Sequence, residues 1–178
     1  GTLDIRERPL YTLRDAARYL HIPSGTLRAW VRGKKYSTTN GEGFSEPLIR
    51  LPAQADQRLS FDNLVEAHVL RSLRIRHSIP MKAVREALWF AEEKLDTKRL
   101  LISSELRAAP GAIFLEKYQE LISLNPAGQL AIRRAFDSFL ERIEHDDAGL
   151  PIRLHPFLSS REMNGSKAIS IVDDGTTD

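Results

Sequence analysis

Two short helix signals, separated by three residues, constrain this chain more than any other feature. Thr12 can cap backbone N–H groups through its hydroxyl, and Asp15 three residues later resembles the acidic partner of a capping box. Leu13, Ala16, Ala17 and Leu20 follow at helical spacing. His21-Ile22-Pro23 interrupts the pattern, and Ser24 reads as the N-cap of a second helix. Leu27, Trp30 and Val31 give that helix an apolar side, and Gly33 stops it. Small alanines at the crossing allow close approach, which makes the pair a helix-turn-helix. In such a unit the second helix enters the major groove. Its outward positions are Ser24, Thr26, Arg28 and Arg32, followed by Lys34, Lys35 and Tyr36. Arg and Lys can neutralise phosphates or reach guanine edges, and Tyr can bond a phosphate. The alternative is an ordinary helical hairpin with a solvated basic face.

Residues 37–43 are turn-rich, and Leu48-Ile49-Arg50-Leu51 reads as a strand ended by Pro52. Tyr36 and its neighbours are expected to pair with it as a β-hairpin wing, which adds Arg50 to the candidate DNA contacts. Gly41 and Gly43 do not form a phosphate-binding fingerprint, because no strand-to-helix unit with a third glycine surrounds them.

Ser60 caps a third helix carrying Phe61, Leu64, Val65, Val69, Leu70 and Leu73, with Arg71, Arg74 and Arg76 in its last turns. Ser78-Ile79-Pro80 opens a fourth, with Met81, Val84, Leu88, Ala91 and Leu95 as its core stripe. Trp89 and Phe90 read as core or interface anchors.

Leu100–Ile102, Ala112–Leu115 and Leu121–Leu124 read as short strands, with Ala109-Pro110-Gly111 as a turn. Asn125 and Pro126 begin a helix whose apolar positions run from Leu130 to Ile143, and Ile152–Leu154 is a last core strand. The expected fold is mainly α with an α+β second half: a winged helix-turn-helix, then a small sheet covered by one long helix. Phe136 and Phe139 belong to the core or to a dimer face.

Charge divides along the chain. Residues 1–80 hold 13 Lys/Arg and 8 Asp/Glu, and the remainder holds 13 and 16. A basic first half joined to an acidic second half points to a polyanion-binding part attached to something else. With 42% apolar and 28% charged residues the composition is that of a globular protein. No apolar run approaches the ~20 residues of a membrane span, and no secretory signal is visible. The absence of cysteine excludes disulfides and thiolate chemistry and fits a cytoplasmic location.

The order Tyr11-Thr12-Leu13, Ala16-Ala17, Ile22-Pro23, Thr26-Leu27-Arg28, Trp30 resembles a MerR-type winged helix-turn-helix. Arg58-Leu59-Ser60-Phe61 matches that family's Arg-rich approach to a further helix pair, here Phe61–His77 and Met81–Lys94. The usual second aromatic after the Leu-Arg pair is missing. Lys94–Thr97 ends the fourth helix before the long dimerising helix of MerR-type activators. A narrower resemblance runs through Leu59–Arg71, Gly128–Ala131, Glu141–Glu144, Ala148–Pro151 and Leu154-His155-Pro156. It is similar to VapB-type antitoxins with a MerR-like N-terminus.

This resemblance implies a homodimer on a palindromic double-stranded DNA operator, paired with a PIN-domain ribonuclease toxin and repressing its own operon. It divides the chain into a DNA-binding domain over residues 9–96, a small α+β dimerisation or interaction domain over 97–157, and a linker and tail over 158–178. Such antitoxins usually carry a further small helical domain after a strand like Ala168–Val172. Here that strand has no obvious local partner, so it reads either as tail or as a segment that orders on a partner by strand addition. Arg161, Lys167, Ile169 and Ile171 are the candidate partner contacts.

Enzyme signatures are missing. His21, His68, His77, His145 and His155 are scattered, without zinc spacing, and no nucleophile elbow or phosphate loop occurs. Glu141, Glu144, His145, Asp146 and Asp147 read as a solvated acidic face rather than an acid/base centre. No cofactor or metal is expected. The alternative functions are a stand-alone regulator that answers a small ligand bound in the second half, and a protein-interaction adaptor that does not touch DNA.

Overall fold

The computed structural model describes residues 4–53, 57–75, 78–156 and 168–171. Helix α1 (Leu13–Leu20) begins where Thr12 Oγ1 accepts the Asp15 N–H at 3.1 Å. It ends at His21, whose left-handed backbone turns the chain so that the buried Ile22 returns to the core. Helix α2 (Ser24–Arg32) follows, with Pro23 rather than Ser24 at its N-cap and no side-chain cap. The fixed φ of Pro23 takes the place of the expected serine cap.

Helix α3 (Phe61–Arg71) is the centre of the molecule. Nine of its eleven residues are buried, so it must be covered on all sides. Its start is fixed by a reciprocal box: Ser60 N donates to Asn63 Oδ1 at 2.9 Å and Asn63 N to Ser60 Oγ at 3.1 Å. Helix α4 (Met81–Leu95) packs along α5 (Ala109–Leu121), and α6 (Pro126–Leu140) packs on α3. Asn125 Oδ1 caps α6 by accepting Gly128 N at 2.8 Å.

Three expected strands are helical instead. Leu100–Ile102 is a 3-10 turn, residues 112–115 lie inside α5, and residues 121–124 are the end of α5 and the turn beyond it. Four-residue apolar runs fit a strand or a buried helix equally, and Pro110 occupies a first helical turn as readily as a loop. Gly111 shows why the helix starts there. A Cβ on it would lie 1.7 Å from the Leu106 carbonyl oxygen, so only glycine lets α5 cross the 3-10 turn at Ser104–Arg107.

Two antiparallel sheets complete the fold. Strands β1 (Lys34–Thr38) and β2 (Gly41–Ser45) form a hairpin directly after α2. Strands β3 (Ile143–His145), β4 (Pro151–Leu154) and β5 (Ile169–Ser170) form the second sheet in that order, with β4 against α3. The strand expected to lack a local partner therefore has one. Leu154 pairs with Ile169, Arg153 with Ser170, and Ile171 N donates to Ile152 O at 3.1 Å.

One hydrophobic cluster runs from Ala16 of α1 to Leu154 of β4 and includes Phe114, Tyr118 and Phe136. Trp89, expected as a core or interface anchor, is not in the core: it is 65% exposed, on the side of α4 away from the buried Ala87. No helix among the described residues is long and apolar enough to cross a membrane.

Candidate nucleic-acid interface

The interface is built outward from the buried side of α2. Leu27, Trp30 and Val31 anchor that side in the core, which turns Ser24, Gly25, Arg28 and Arg32 to solvent and leaves Thr26 half-buried. The Trp30 carbonyl accepts Leu48 N at 2.8 Å and Ile49 N at 3.0 Å. Those amides are spent on the end of the helix, and Pro47 has none to offer, so residues 48–51 do not form the expected strand.

The partner of Tyr36 is instead Gly43. The register runs Lys34 to Ser45, Lys35 to Phe44 and Tyr36 to Gly43, with Thr39-Asn40 at the tip. Each aromatic of the hairpin lies over a glycine. The Tyr36 ring covers Gly43, and the Phe44 ring covers Gly33. Gly33 has φ +83°, and a Cβ there would meet the Ser45 carbonyl oxygen at 2.5 Å as well as the Phe44 ring. That glycine lets the hairpin leave α2 without a connecting loop. Arg85 of α4 donates to the Glu46 carbonyl, just past the end of β2, and so supports the base of the hairpin.

A cleft of about 630 Å³ opens between α2, the base of the hairpin and the start of α4. Thr26, Arg28, Lys34 and Lys35 line it together with Ser78 and Ile79. Of the residues expected from sequence, these first four share one concave face. Ser24, Arg32 and Tyr36 are exposed beside it on the same two elements. Arg50 is exposed as well, but on an irregular segment whose carbonyl accepts Asn63 Nδ2 at 3.0 Å. Among the described residues Arg28, Arg32, Lys34 and Lys35 have no ion-pair partner, in contrast to Arg18 of α1, which meets Asp15 at 3.4 Å. Unneutralised cations on one concave face raise the local concentration of a polyanion.

Of the expected partner contacts, Ile169 and Ile171 are half-buried and packed against the core, and Arg161 and Lys167 lie outside the described residues. Sequence reasoning missed Phe44 and the Ser78-Ile79 edge of the cleft. The alternation Glu42, Gly43, Phe44, Ser45, mirrored about Thr39-Asn40, is the signal that could have found the first. The second comes from a different part of the chain and leaves no local signal.

Residues 9–88 match a family model described as "Putative DNA-binding HTH domain". A protein of Mycobacterium tuberculosis (strain ATCC 25618 / H37Rv) named "Putative antitoxin VapB45" is 37% identical over 84 residues. That stretch is 45% of this chain and 35% of the relative, so the match spans about a third of the relative's length. The crystal structure of Rv2018 from Mycobacterium tuberculosis superposes on 92% of this chain and 75% of its own, with TM-score 0.59 and 22% identity. That likeness shows a shared fold.

Proposed function

We propose that this chain is a DNA-binding antitoxin of a toxin–antitoxin pair. The reading rests on one observation above the others: the recognition helix and the hairpin beside it bring Thr26, Arg28, Lys34 and Lys35 to one cleft, and among the described residues no carboxylate pairs the three cations. The match of residues 9–88 to a DNA-binding family and the likeness to a protein named as an antitoxin support it.

In this reading residues 9–96 act as a MerR-like winged unit. Helix α2 enters the major groove, and Lys34, Lys35 and Tyr36 of the hairpin hold the flanking phosphates, with Ser24, Arg32 and Arg50 as further contacts. Residues 97–157 help join two copies, which read a palindrome with half-sites about 34 Å, or a multiple, apart. The segment from residue 158 on, with Arg161, Lys167, Ile169 and Ile171, faces a PIN-domain ribonuclease toxin. The pair of proteins represses its own operon in the cytoplasm.

The test is fluorescence anisotropy on the DNA upstream of the chain's own operon, over a salt series, together with co-purification with the product of the adjacent gene. Binding that favours this DNA over a scrambled duplex, and a co-purifying nuclease, are the expected results. Equal binding to both duplexes removes the operator reading, and loss of the nuclease removes the antitoxin reading.

A second reading, a regulator that answers a small ligand, is favoured by a charged cleft beside Asp62 of α3.

A further inference from the structure

Phe139, near the end of α6, gathers two arginines. The Arg71 guanidinium, at the end of α3, lies 5.3 Å from the ring centroid, and that of Arg142, just before β3, lies 4.4 Å from it. Attraction to the ring's π system holds such groups in place. Both side chains are half-buried, so both still reach solvent. Arg142 spends one N–H on the Pro156 carbonyl at 3.2 Å and one on Ser138 Oγ at 3.5 Å, which leaves further donors on its guanidinium. Arg71 has no hydrogen-bond or ion-pair partner among the described residues.

Like charges beside one ring repel each other. Burial, then the charges of Arg142 and Arg74, hold the Arg71 guanidinium below its ordinary value, and burial does the same to Arg142. Among the described residues no carboxylate relieves them. Asp137 and Glu141, close to Arg142 in sequence, form no ion pair, and Glu144 is taken by Arg153 at 3.2 Å and His155 at 2.9 Å. Fixed, unneutralised guanidinium groups of this kind call for an anion.

The cluster adjoins the nucleic-acid interface. Arg71 stands four residues before Ile75, a span of at most about 14 Å. Ile75 and Ser78 exchange backbone hydrogen bonds at 2.7 and 3.1 Å, and Ser78 lines the cleft at α2. A duplex seated in that cleft bears one phosphate per ~1.7 Å of its axis, counting both strands, so its backbone continues past the Ser78 rim.

We propose that Arg71 and Arg142 form a clamp for a backbone phosphate of the bound duplex, outside the groove that α2 reads. Arginine suits this role because its planar fork matches two phosphate oxygens and keeps its charge when partly buried. The clamp rests on the DNA-binding reading and extends it: Arg142 belongs to the second half of the chain, so residues beyond the winged unit take part in holding DNA. A phosphate contact carries no sequence information, so the clamp sets affinity and placement rather than the choice of operator.

Anisotropy titrations of the whole chain over a salt series, on a duplex long enough to run past the cleft, test this. Arg71→Gln and Arg142→Gln should each lower the salt slope by about one, and should weaken preferred and scrambled duplexes alike. Their shortfall against the wild type should shrink about threefold between roughly 50 and 200 mM salt. Arg142→Lys keeps the charge and should keep the slope. Arg133→Gln removes one charge from the exposed face of α6 and should behave as the wild type. An unchanged slope in either glutamine variant overturns the clamp, and a lowered Tm then makes that arginine a packing group on Phe139. A Tm rise with inorganic phosphate that both variants lose, while their duplex binding matches the wild type, also overturns it and assigns the site to a free phosphate compound. Lys34→Ala separates the clamp from the reading beneath it. If that variant weakens binding and the glutamine variants do not, only the clamp falls; if the wild type binds no duplex, both fall together.

Discussion

His68 Nε2 lies 2.8 Å from the Phe139 carbonyl oxygen, and the imidazole stacks on the ring of the same residue with 4.8 Å between centroids. This pair joins α3 to α6. Burial pushes the His68 imidazole down to about 3, so the ring is neutral and Nε2–H donates to the carbonyl. Arg71 and Arg142, which both approach the Phe139 ring, add to the cost of charging it. The folded-state value lies below the ordinary 6.5, so the stability due to the neutral ring is complete above that pH and is lost as pH falls below it. The loss is about 1.4 kcal/mol per pH unit. Thermal unfolding from pH 7 to pH 4 should therefore fall less steeply for His68→Gln than for the wild type. Parallel profiles would mean that the ring is not buried in its neutral form.

Asp62 and Glu66 act with the opposite sign. Their folded-state values, about 6 and about 7, are raised above 3.8 and 4.5. Raised carboxyls make the native state bind protons before the unfolded chain does, so stability rises as pH falls through those values. Neutralising one of them should then stabilise the protein in base. Glu66→Gln is expected to gain on the order of 1–3 kcal/mol over the wild type at high pH. The gain should vanish once both states of the wild type are protonated. Denaturant unfolding on the two sides of neutrality measures this, and an advantage that does not depend on pH would count against a buried, raised carboxyl.

What was legible in the sequence is what is local. Thr12 with Asp15, Ser60 and Asn125 each mark a helix start through a side chain bonding an amide three residues on, and all three stand in the structure. The exposed face of α2 followed from the spacing of Leu27, Trp30 and Val31. The second half was misread because residues 112–115 are equally apolar as strand or helix, and only packing of α5 along α4 decides between them. Tyr36 was given the wrong partner because the amides of Leu48 and Ile49 had an unseen use on Trp30. The cleft at Asp62 could not be read at all. Glu7, Asp62, Arg99 and Gly149 come from four distant stretches, and only the tertiary fold brings them together.

On DNA, Arg28 and the two lysines should behave differently. Arg28 projects from the middle of α2, where base edges are read, and Arg28→Ala should cost about 1–3 kcal/mol on the preferred sequence and less on a scrambled one. Lys34 and Lys35 lie where the hairpin leaves the helix. Replacing either by Ala should weaken all duplexes alike and lower the salt slope by about one. Anisotropy titrations over a salt series separate the two patterns. A uniform loss for Arg28→Ala would make it a phosphate contact.

Gly33→Ala tests whether the hairpin's departure from α2 matters. At φ +83° an added Cβ would meet the Ser45 carbonyl oxygen at 2.5 Å. With ψ at 177° this backbone region is essentially reserved for glycine, and holding a residue with a Cβ there costs about 1–3 kcal/mol before any clash is counted. Relief requires the hairpin to swing away from the helix. DNA affinity should therefore fall well beyond the effect of Lys34→Ala, while far-UV circular dichroism keeps its helical signal. Retained affinity would show that the hairpin does not contribute to the interface.

Tyr118→Phe isolates one buried hydrogen bond that supports the interface from behind. The Tyr118 hydroxyl donates to the Leu73 carbonyl at 2.7 Å, and the residue is fully buried. Burial also pushes its phenol above the ordinary 10, so it remains a donor throughout the neutral range. Leu73 lies just past the end of α3, close before the Ile75–Ser78 bridge whose far end borders the α2 cleft. Removing the hydroxyl leaves the ring's packing intact and the Leu73 carbonyl short of a donor, a loss of about 1–2 kcal/mol. Denaturant titration should show this as a lower midpoint with an unchanged slope, and DNA affinity should hold where the fold is intact. An unchanged midpoint would mean that the Leu73 carbonyl finds another donor once the hydroxyl is gone.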